Sequence, residues 1–220
     1  MIRLAKYLIA AVLLLVAAAL VYGAVGYADA LSDAQDLARR ADALIAEGRG
    51  GNDLGEDRLK QLLTVQDPAF LDHGGVDFTT AGAGLTTVTQ SLAKRVGFET
   101  FKPGIGKIRQ TGYAIGLEQR LTKDQIMALW LDTLEMGKGP DGWMKGFYPA
   151  SETVYGKPPA ELPDREFLSL VAVLIAPSDY DLLRADPQLE DRVARIERLV
   201  AGSCVPEGHG DVWLEGCRTE

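Results

Sequence analysis

The fold of this chain is decided by two stretches, VQDPAFLDHGGVD at residues 65–77 and GLTTVTQSLAKR at residues 84–95. Apolar residues recur at helical spacing before the first stretch and within the second, and they predict helices over residues 56–66 and 87–96. Residues 67–84 are rich in glycine and too irregular for regular secondary structure. We therefore expect a functional loop there, flanked by two helices.

More helices are predicted on both sides of this loop, over residues 32–48, 105–119, 123–135, 150–155, 164–176 and 187–201. Capping boxes are predicted at Ser32 with Gln35 and at Thr122 with Gln125. Glycine-rich residues 48–55 and 137–146 are predicted to be a hinge-like linker and a flexible loop. No region shows sustained strand alternation, so the fold is predicted to be mainly α, with a groove rather than an up-and-down bundle.

Residues 7–28 carry no charge, and as a helix this run is roughly 33 Å long, enough to cross a bilayer core. Arg3 and Lys6 precede this run, and Asp29 and Asp33 follow it. The positive-inside rule then puts the amino terminus in the cytoplasm. The sequence predicts a single-pass protein of the cytoplasmic (inner) membrane, with its domain on the periplasmic or extracellular side.

Two other interpretations of this segment remain open. Residues 28–30, ADA, resemble a signal-peptidase site, but the apolar run exceeds the usual 7–15 residues of a signal peptide, which favours an uncleaved anchor. A buried core helix is the other alternative, although few globular helices are apolar on every face. Anchor and signal peptide both export the domain.

The charge balance excludes some classes of function. The whole chain has a formal net charge of −8; without Arg3 and Lys6, the exported part has 21 basic residues against 31 acidic ones, a net charge of −10. Such an acidic domain argues against nucleic-acid binding. The chain is 47% hydrophobic, which is too much for a disordered protein.

The two cysteines, Cys204 and Cys217, lie near the carboxyl terminus. In an exported protein we expect them to form a disulfide that holds the tail with Trp213. A metal site that includes His209 is the alternative, but the close-spaced ligand pairs of zinc sites are missing. Neither a metal nor an organic cofactor is predicted.

Five stretches together resemble the peptidoglycan glycosyltransferases of family 51, which are the transglycosylase domain of class A penicillin-binding proteins and the monofunctional transglycosylases. In family order, they are residues 65–77, residues 84–95, KIRQ at 107–110, LEQRLTKDQIMALWLD at 117–132 and VYGK at 154–157. The resemblance implies a lysozyme-like α domain, with a groove between a larger lobe and a membrane-embedded smaller lobe. It also implies lipid II or glycan strands as ligands.

The departures from the family pattern concern catalysis. By the resemblance, the general base that deprotonates the acceptor sugar falls on Gln66, and the Glu that helps to stabilise the donor pyrophosphate falls on Gln110. A glutamine amide cannot accept a proton near neutral pH, and losing a general base costs about 10²- to 10⁴-fold in rate. Asp67 or Asp72 is the candidate substitute base. The chain also departs from the family motifs at four other positions, Arg95, Gly106, Ala128 and Asp132.

The apparatus for binding an anion is retained. By the resemblance, the candidate substrate-binding residues are Phe70, His73, Thr87, Gln90, Lys94, Lys107 and Arg109. Fixed cations suit a pyrophosphate whether or not chemistry follows. Family enzymes use a divalent cation there, but its expected carboxylate is here Gln110, so no cation is assumed. Phe70 is also explained by packing, and His73 by shaping the loop.

Three functions follow as hypotheses. The first is a membrane-anchored glycosyltransferase-like protein that binds lipid II or glycan strands, with catalysis lost or weakened. The second is an active enzyme with a substitute base, and the third is an interaction module that regulates cell-wall synthases. The predicted division of the chain is a cytoplasmic stub at 1–6, the anchor at 7–28, a linker helix and hinge at 29–55, the family domain at 56–202 and a tail at 203–220.

Overall fold

The computed structural model describes residues 2–219, with side chains from residue 5 onward. Part of the predicted stub at 1–6 therefore lies outside the described residues, including the side chain of Arg3. The helices are α1 Ile2–Ala46, α2 Glu56–Gln66, α3 Val88–Val96, α4 Gly106–Glu118, α5 Lys123–Thr133, α6 Phe147–Tyr155, α7 Asp164–Val173 and α8 Pro187–Val200. The strands are β1 Glu135–Gly139 and β2 Gly142–Lys145. The mainly α fold is confirmed.

Helix α1 is a single element of 45 residues, long and apolar enough in its first half to cross a membrane. The predicted capping box at Ser32 is wrong, because the helix runs through that position without a break. Two side chains hold this part of α1 on the domain: Asp29 accepts a hydrogen bond from Arg109, and Asp33 accepts one from Tyr113. These contacts favour one continuous helix over a new helix that begins at Ser32.

The core is built around α5, whose residues from Ile126 to Leu131 are all buried. Helices α1, α3 and α4 pack together on one side of α5, while α2, α7 and α8 form a second group. Helix α6 joins the two groups, because it contacts both α5 and α7; the β-strands pack on α6. The loop that follows α2 connects the second group back to α3.

Residues 135–145 form an antiparallel hairpin, in which Glu135 pairs with Lys145 and Gly139 with Gly142. The prediction of a flexible loop at 137–146 is therefore wrong. The hairpin is too short for an alternating pattern to be visible, and glycines supply its positive φ angles, for example +126° at Gly142.

Helices α1 and α4 approach closely through glycines. A Cβ atom on Gly112 would lie 1.9 Å from the carbonyl oxygen of Gly23, and one on Gly26 would lie 2.1 Å from that of Arg109. Only hydrogen fits at these two positions, so the glycines allow the backbones to touch. The carboxyl-terminal end of the apolar run is thereby fixed to the domain.

Candidate functional site

Gln66 is the last residue of α2, and its side chain is half-buried. Its Nε2 donates a long hydrogen bond of 3.4 Å to the carbonyl oxygen of Val171 in α7. The amide thus stands at the junction of α2 and α7, where the chain enters the glycine-rich loop.

Asp67 is completely buried, and its carboxylate binds groups that shape the site. Its carboxylate accepts a hydrogen bond from the Val88 amide at the start of α3, at 2.8 Å, and lies 2.9 Å from Nε2 of His73. Nδ1 of His73 accepts a hydrogen bond from the Gly75 amide, so Nε2 carries the ring proton and donates to Asp67. The carboxylate therefore ties the loop to the positive end of the α3 dipole. Asp72, the other candidate base, is exposed.

Phe70 is buried, and the ammonium group of Lys123 lies 4.5 Å from the centre of its ring. Lys123 also donates to the carbonyl oxygen of His73 and to Glu118, at 2.7 and 2.9 Å. Sequence reasoning did not select Lys123 or Glu118 as site residues. The signal was present, because both belong to the fourth family-like stretch, residues 117–132.

Thr87 and Gln90 close the amino-terminal end of α3 as a capping box. The hydroxyl of Thr87 also donates to the Gly75 carbonyl at 2.8 Å, and the Gln90 amide donates to the hydroxyl of Thr111 at 3.1 Å. Both side chains are buried. In this structure they position the loop and the helices.

Gln110 is completely buried between α3 and α4. Its Nε2 donates to the carbonyl oxygen of Gln90 at 2.6 Å, and its Oε1 has no hydrogen-bond partner among the described residues. A divalent cation needs accessible oxygen ligands, preferably carboxylates. The buried amide does not fit that requirement, so no step is assigned to a metal ion.

Lys94 and Arg95 line a cleft of about 600 Å³ between the end of α3 and the β-hairpin. Lys94 is exposed and forms no ion pair with any residue that the structure describes. Arg95 donates to the hydroxyls of Thr133 and Ser91, while its Nη2 has no partner among the described residues. Burial lowers the pKa of Arg95 to about 10, opposed by the charge of Glu135, so this guanidinium still carries its charge at neutral pH.

Lys107 lies in the first turn of α4, close enough to Lys94 for the two charges to repel each other. Its ammonium group donates to the hydroxyl of Thr86 at 2.7 Å. Burial, and then repulsion from Lys94, lowers its pKa below the usual value. Lys107 also lines a second, largely apolar cavity of about 510 Å³, together with Leu20 and Gly23 of α1.

Arg109, unlike Lys94 and Lys107, forms an ion pair with α1. Its guanidinium pairs with Asp29 of α1 at 2.7 Å and lies 5.1 Å from the ring centre of Phe98. The hydrogen bond to Asp29 raises the pKa of Arg109. The three predicted cations therefore do not line one cleft, since Arg109 joins the domain to α1. Neither cavity that Lys94 or Lys107 lines includes Gln66 or Gln110.

Residues 51–200 match the family model described as transglycosylase. Among similar curated proteins is the biosynthetic peptidoglycan transglycosylase of Marinomonas sp. (strain MWYL1), which is 30% identical over 62% of this chain and 64% of that protein. Penicillin-binding protein 2D of Bacillus subtilis (strain 168) is 29% identical over 67% of this chain, and penicillin-binding protein 1A of Streptococcus pneumoniae (strain ATCC BAA-255 / R6) is 28% identical over 86% of it.

This chain spans only part of the length of these relatives. The aligned region makes up 23% of the Bacillus protein and 31% of the Streptococcus protein. The region that matches the family model contains the loop, α3 and α4.

Proposed function

This chain belongs to the transglycosylase family, and we propose that it binds lipid II or nascent glycan strands at the outer face of the cytoplasmic membrane with its glycosyl transfer lost or severely weakened. It is a membrane-anchored, peptidoglycan glycosyltransferase-like protein. The observation that carries the proposal is the pair of cations Lys94 and Lys107, whose charges repel each other, with Lys107 beside the apolar helix, while the family's general-base position holds Gln66.

The loss of catalysis is supported by the surroundings of the candidate bases. Gln66 cannot take a proton, and its neighbour Asp67 is buried with its oxygens bonded to His73 and Val88. A general base must reach the proton that it removes, directly or through one water molecule. Asp67 is enclosed by its partners, so its position supports a structural role rather than that of a substitute base.

Binding of an anion is supported by the charges. Lys94 is exposed without an ion-pair partner in the described part of the chain, and Lys107 keeps only the neutral hydroxyl of Thr86. The lowered pKa of Lys107 means that its charge is stabilised poorly by the protein alone. A pyrophosphate between the two ammonium groups would supply the missing negative charge.

The proposal that the ligand carries a lipid is supported by the depth at which the site would lie in the membrane. Residues 7–18 of α1 are exposed along their length and make roughly 18 Å of helix, whereas a bilayer core is about 30 Å thick. The remaining 12 Å or so of the crossing falls on residues from Ala19 onward, which pack on α4. Lys107 lines a cavity with Ala19 and Leu20, so it lies at the level of the outer leaflet, where lipid headgroups are found.

The test is binding of lipid II to the full chain in nanodiscs. We expect saturable binding that weakens at least tenfold when Lys94 and Lys107 are both changed to alanine, because each charged contact contributes about 1 kcal/mol or more. Lys60→Ala is the matched control, since Lys60 is an exposed lysine on α2. Equal affinity of the double variant and the control would contradict the proposal.

A second function is favoured by one observation. Gln110 is completely buried and Arg109 is paired with α1, so part of the predicted binding surface is closed. This arrangement suits an interaction module that regulates cell-wall synthases. It predicts no saturable affinity for lipid II in the same experiment, and it predicts capture of a synthase by the full chain that Lys94→Ala leaves unchanged.

A further inference from the structure

The tail that follows α8 is a rigid, internally bonded unit. Cys204 and Cys217 are joined by a disulfide, with their Cα atoms 5.2 Å apart. The carboxylate of Asp211 lies inside this closed segment and accepts hydrogen bonds from the amides of Glu207, Glu215 and Gly216, at 3.0, 2.8 and 3.0 Å. These bonds outweigh the effect of burial and lower the pKa of Asp211, so the carboxylate stays charged.

Helix α8 holds this tail through two arginines. Arg195 donates to the carbonyl oxygen of Trp213 at 3.1 Å and to Glu215 at 2.6 Å. Arg198 donates to the carbonyl oxygen of Cys217 at 2.7 Å. The tail is therefore fixed to the domain on the side that faces α8.

On its other side, the tail is hydrogen-bonded to the glycine-rich loop. The Gly82 amide donates to the carbonyl oxygen of Gly208 at 2.9 Å, and the Gly84 amide donates to that of His209 at 2.8 Å. Nδ1 of His209 lies 2.9 Å from the carbonyl oxygen of Thr80, so this nitrogen carries the ring proton. Three hydrogen bonds thus fix a loop that has no regular secondary structure of its own.

Two glycines of the loop are needed for this contact. Gly82 and Gly84 have φ angles of +76° and +66°. A Cβ atom on Gly84 would lie 2.5 Å from Cγ1 of Val212, and one on Gly82 would lie 2.8 Å from Cγ of Pro206. Both the conformation and the space require glycine, so loop and tail fit each other closely.

The loop that the tail contacts leads directly to the residues that surround Lys107. Two residues beyond Gly84 is Thr86, whose hydroxyl holds the ammonium group of Lys107, and the next residue, Thr87, caps α3. The position of Gly84 therefore limits where Thr86 lies. The tail itself follows the family-matched region, which ends at residue 200.

We propose that the disulfide-closed tail is a brace that positions the loop at residues 80–86, so that the contact between Thr86 and Lys107 depends on the Cys204–Cys217 bond. A dithiol reductant would open the brace: its two thiols supply two electrons and two protons, the bond between the sulfur atoms breaks, and two cysteine thiols and an oxidised reductant result. His209 is a positioning residue in this brace. The inference concerns the geometry of the site and is independent of the ligand that it binds.

Amide hydrogen exchange of the full chain in detergent tests the brace, with and without dithiothreitol. We expect the Gly82 and Gly84 amides to exchange at least about tenfold faster after reduction, because each loses its acceptor in the tail. The labelling rate of Lys107 by an amine-reactive reagent should rise at the same time, while that of Lys60 stays constant. His209→Ala should accelerate both amides with the disulfide intact, and His209→Asn, which keeps a donor for Thr80, should restore their protection.

Arg218→Ala is the matched control, because Arg218 lies beyond the disulfide and contacts only Glu215 among the bonds described for its side chain. Far-ultraviolet circular dichroism is used to check that each protein keeps its helices. Unchanged exchange at Gly82 and Gly84 after complete reduction, or in His209→Ala, would overturn the proposal: the disulfide would then stabilise the tail alone.

Discussion

At the scale of single residues, the site separates into side chains that build it and side chains that remain available. Asp67, Thr87, Gln90 and Gln110 are buried and bonded to backbone or neighbouring groups. Lys94 is the exposed member of the candidate substrate-binding residues. A family motif therefore does not distinguish catalytic groups from groups that fix a loop, because both kinds are polar.

The two candidate substitute bases should differ in their effect on stability. Asp67→Ala leaves the Val88 amide and Nε2 of His73 buried without an acceptor, which costs about 1–3 kcal/mol for each group. We expect the free energy of unfolding to fall by about 2–5 kcal/mol. Asp72 is exposed, so Asp72→Ala should change it by less than about 0.5 kcal/mol. Chemical denaturation in detergent measures both changes. A loss of stability in Asp67→Ala as small as that in Asp72→Ala would contradict the structural role of Asp67.

The lowered pKa of Lys107 predicts how anion binding depends on pH. Burial and Lys94 hold this pKa below the usual 10.5, while a bound polyanion favours the charged form. Affinity for lipid II should therefore begin to fall, as pH rises, at values below 10.5. In Lys107→Arg the charge persists throughout, so the decline should be smaller. Titrations between pH 7.5 and 10 check this, and identical curves for the two proteins would refute it.

At the scale of elements, the close contact of α1 with α4 is the feature on which the proposed depth of the domain in the membrane depends. Gly112 faces the carbonyl oxygen of Gly23, with no room for a methyl group. Overpacking of this kind costs about 1–3 kcal/mol and forces the backbones apart.

Gly112→Ala should therefore lower the thermal unfolding midpoint, although alanine is the better helix former by about 1 kcal/mol. Gly74→Ala is the matched control, because a Cβ atom there meets no atom within 4 Å and the φ angle does not require glycine. A differential scanning measurement in detergent compares the two. An increase in stability of Gly112→Ala would mean that the helices separate without cost.

Much of the fold could be predicted from the sequence, because apolar periodicity and caps mark the helices directly. The capping box at Thr122 is present, and α8 ends within one residue of its prediction. The continuity of α1 could not be predicted, since it depends on hydrogen bonds from Arg109 and Tyr113, about 80 positions away. The pairing of Arg109 with Asp29 was missed for the same reason: a motif gives the charge of a residue and not its partner.

At the scale of the whole molecule, the domain and its anchor share one helix, so the depth of the site follows from α1. A spin label at Ile105→Cys, an exposed position beside the start of α4, should be reached by oxygen in the bilayer and shielded from a water-soluble paramagnetic reagent. A label at Asn52→Cys is the control, since that residue follows Ala46, the end of α1, which lies about 40 Å along the helix axis from Ala19 beside Lys107. Equal accessibility to the water-soluble reagent at both positions would contradict the proposed depth.

The central claim is that this family member binds its substrate without polymerising it efficiently. Polymerisation of fluorescent lipid II by the full chain, compared with an active biosynthetic transglycosylase at equal occupancy, tests it most directly. We predict saturable binding and a glycan synthesis rate at least about 10²-fold lower than that of the active enzyme, as expected when the general base is lost. Glycan synthesis by the unmodified chain at a rate close to that of the active enzyme would contradict the claim.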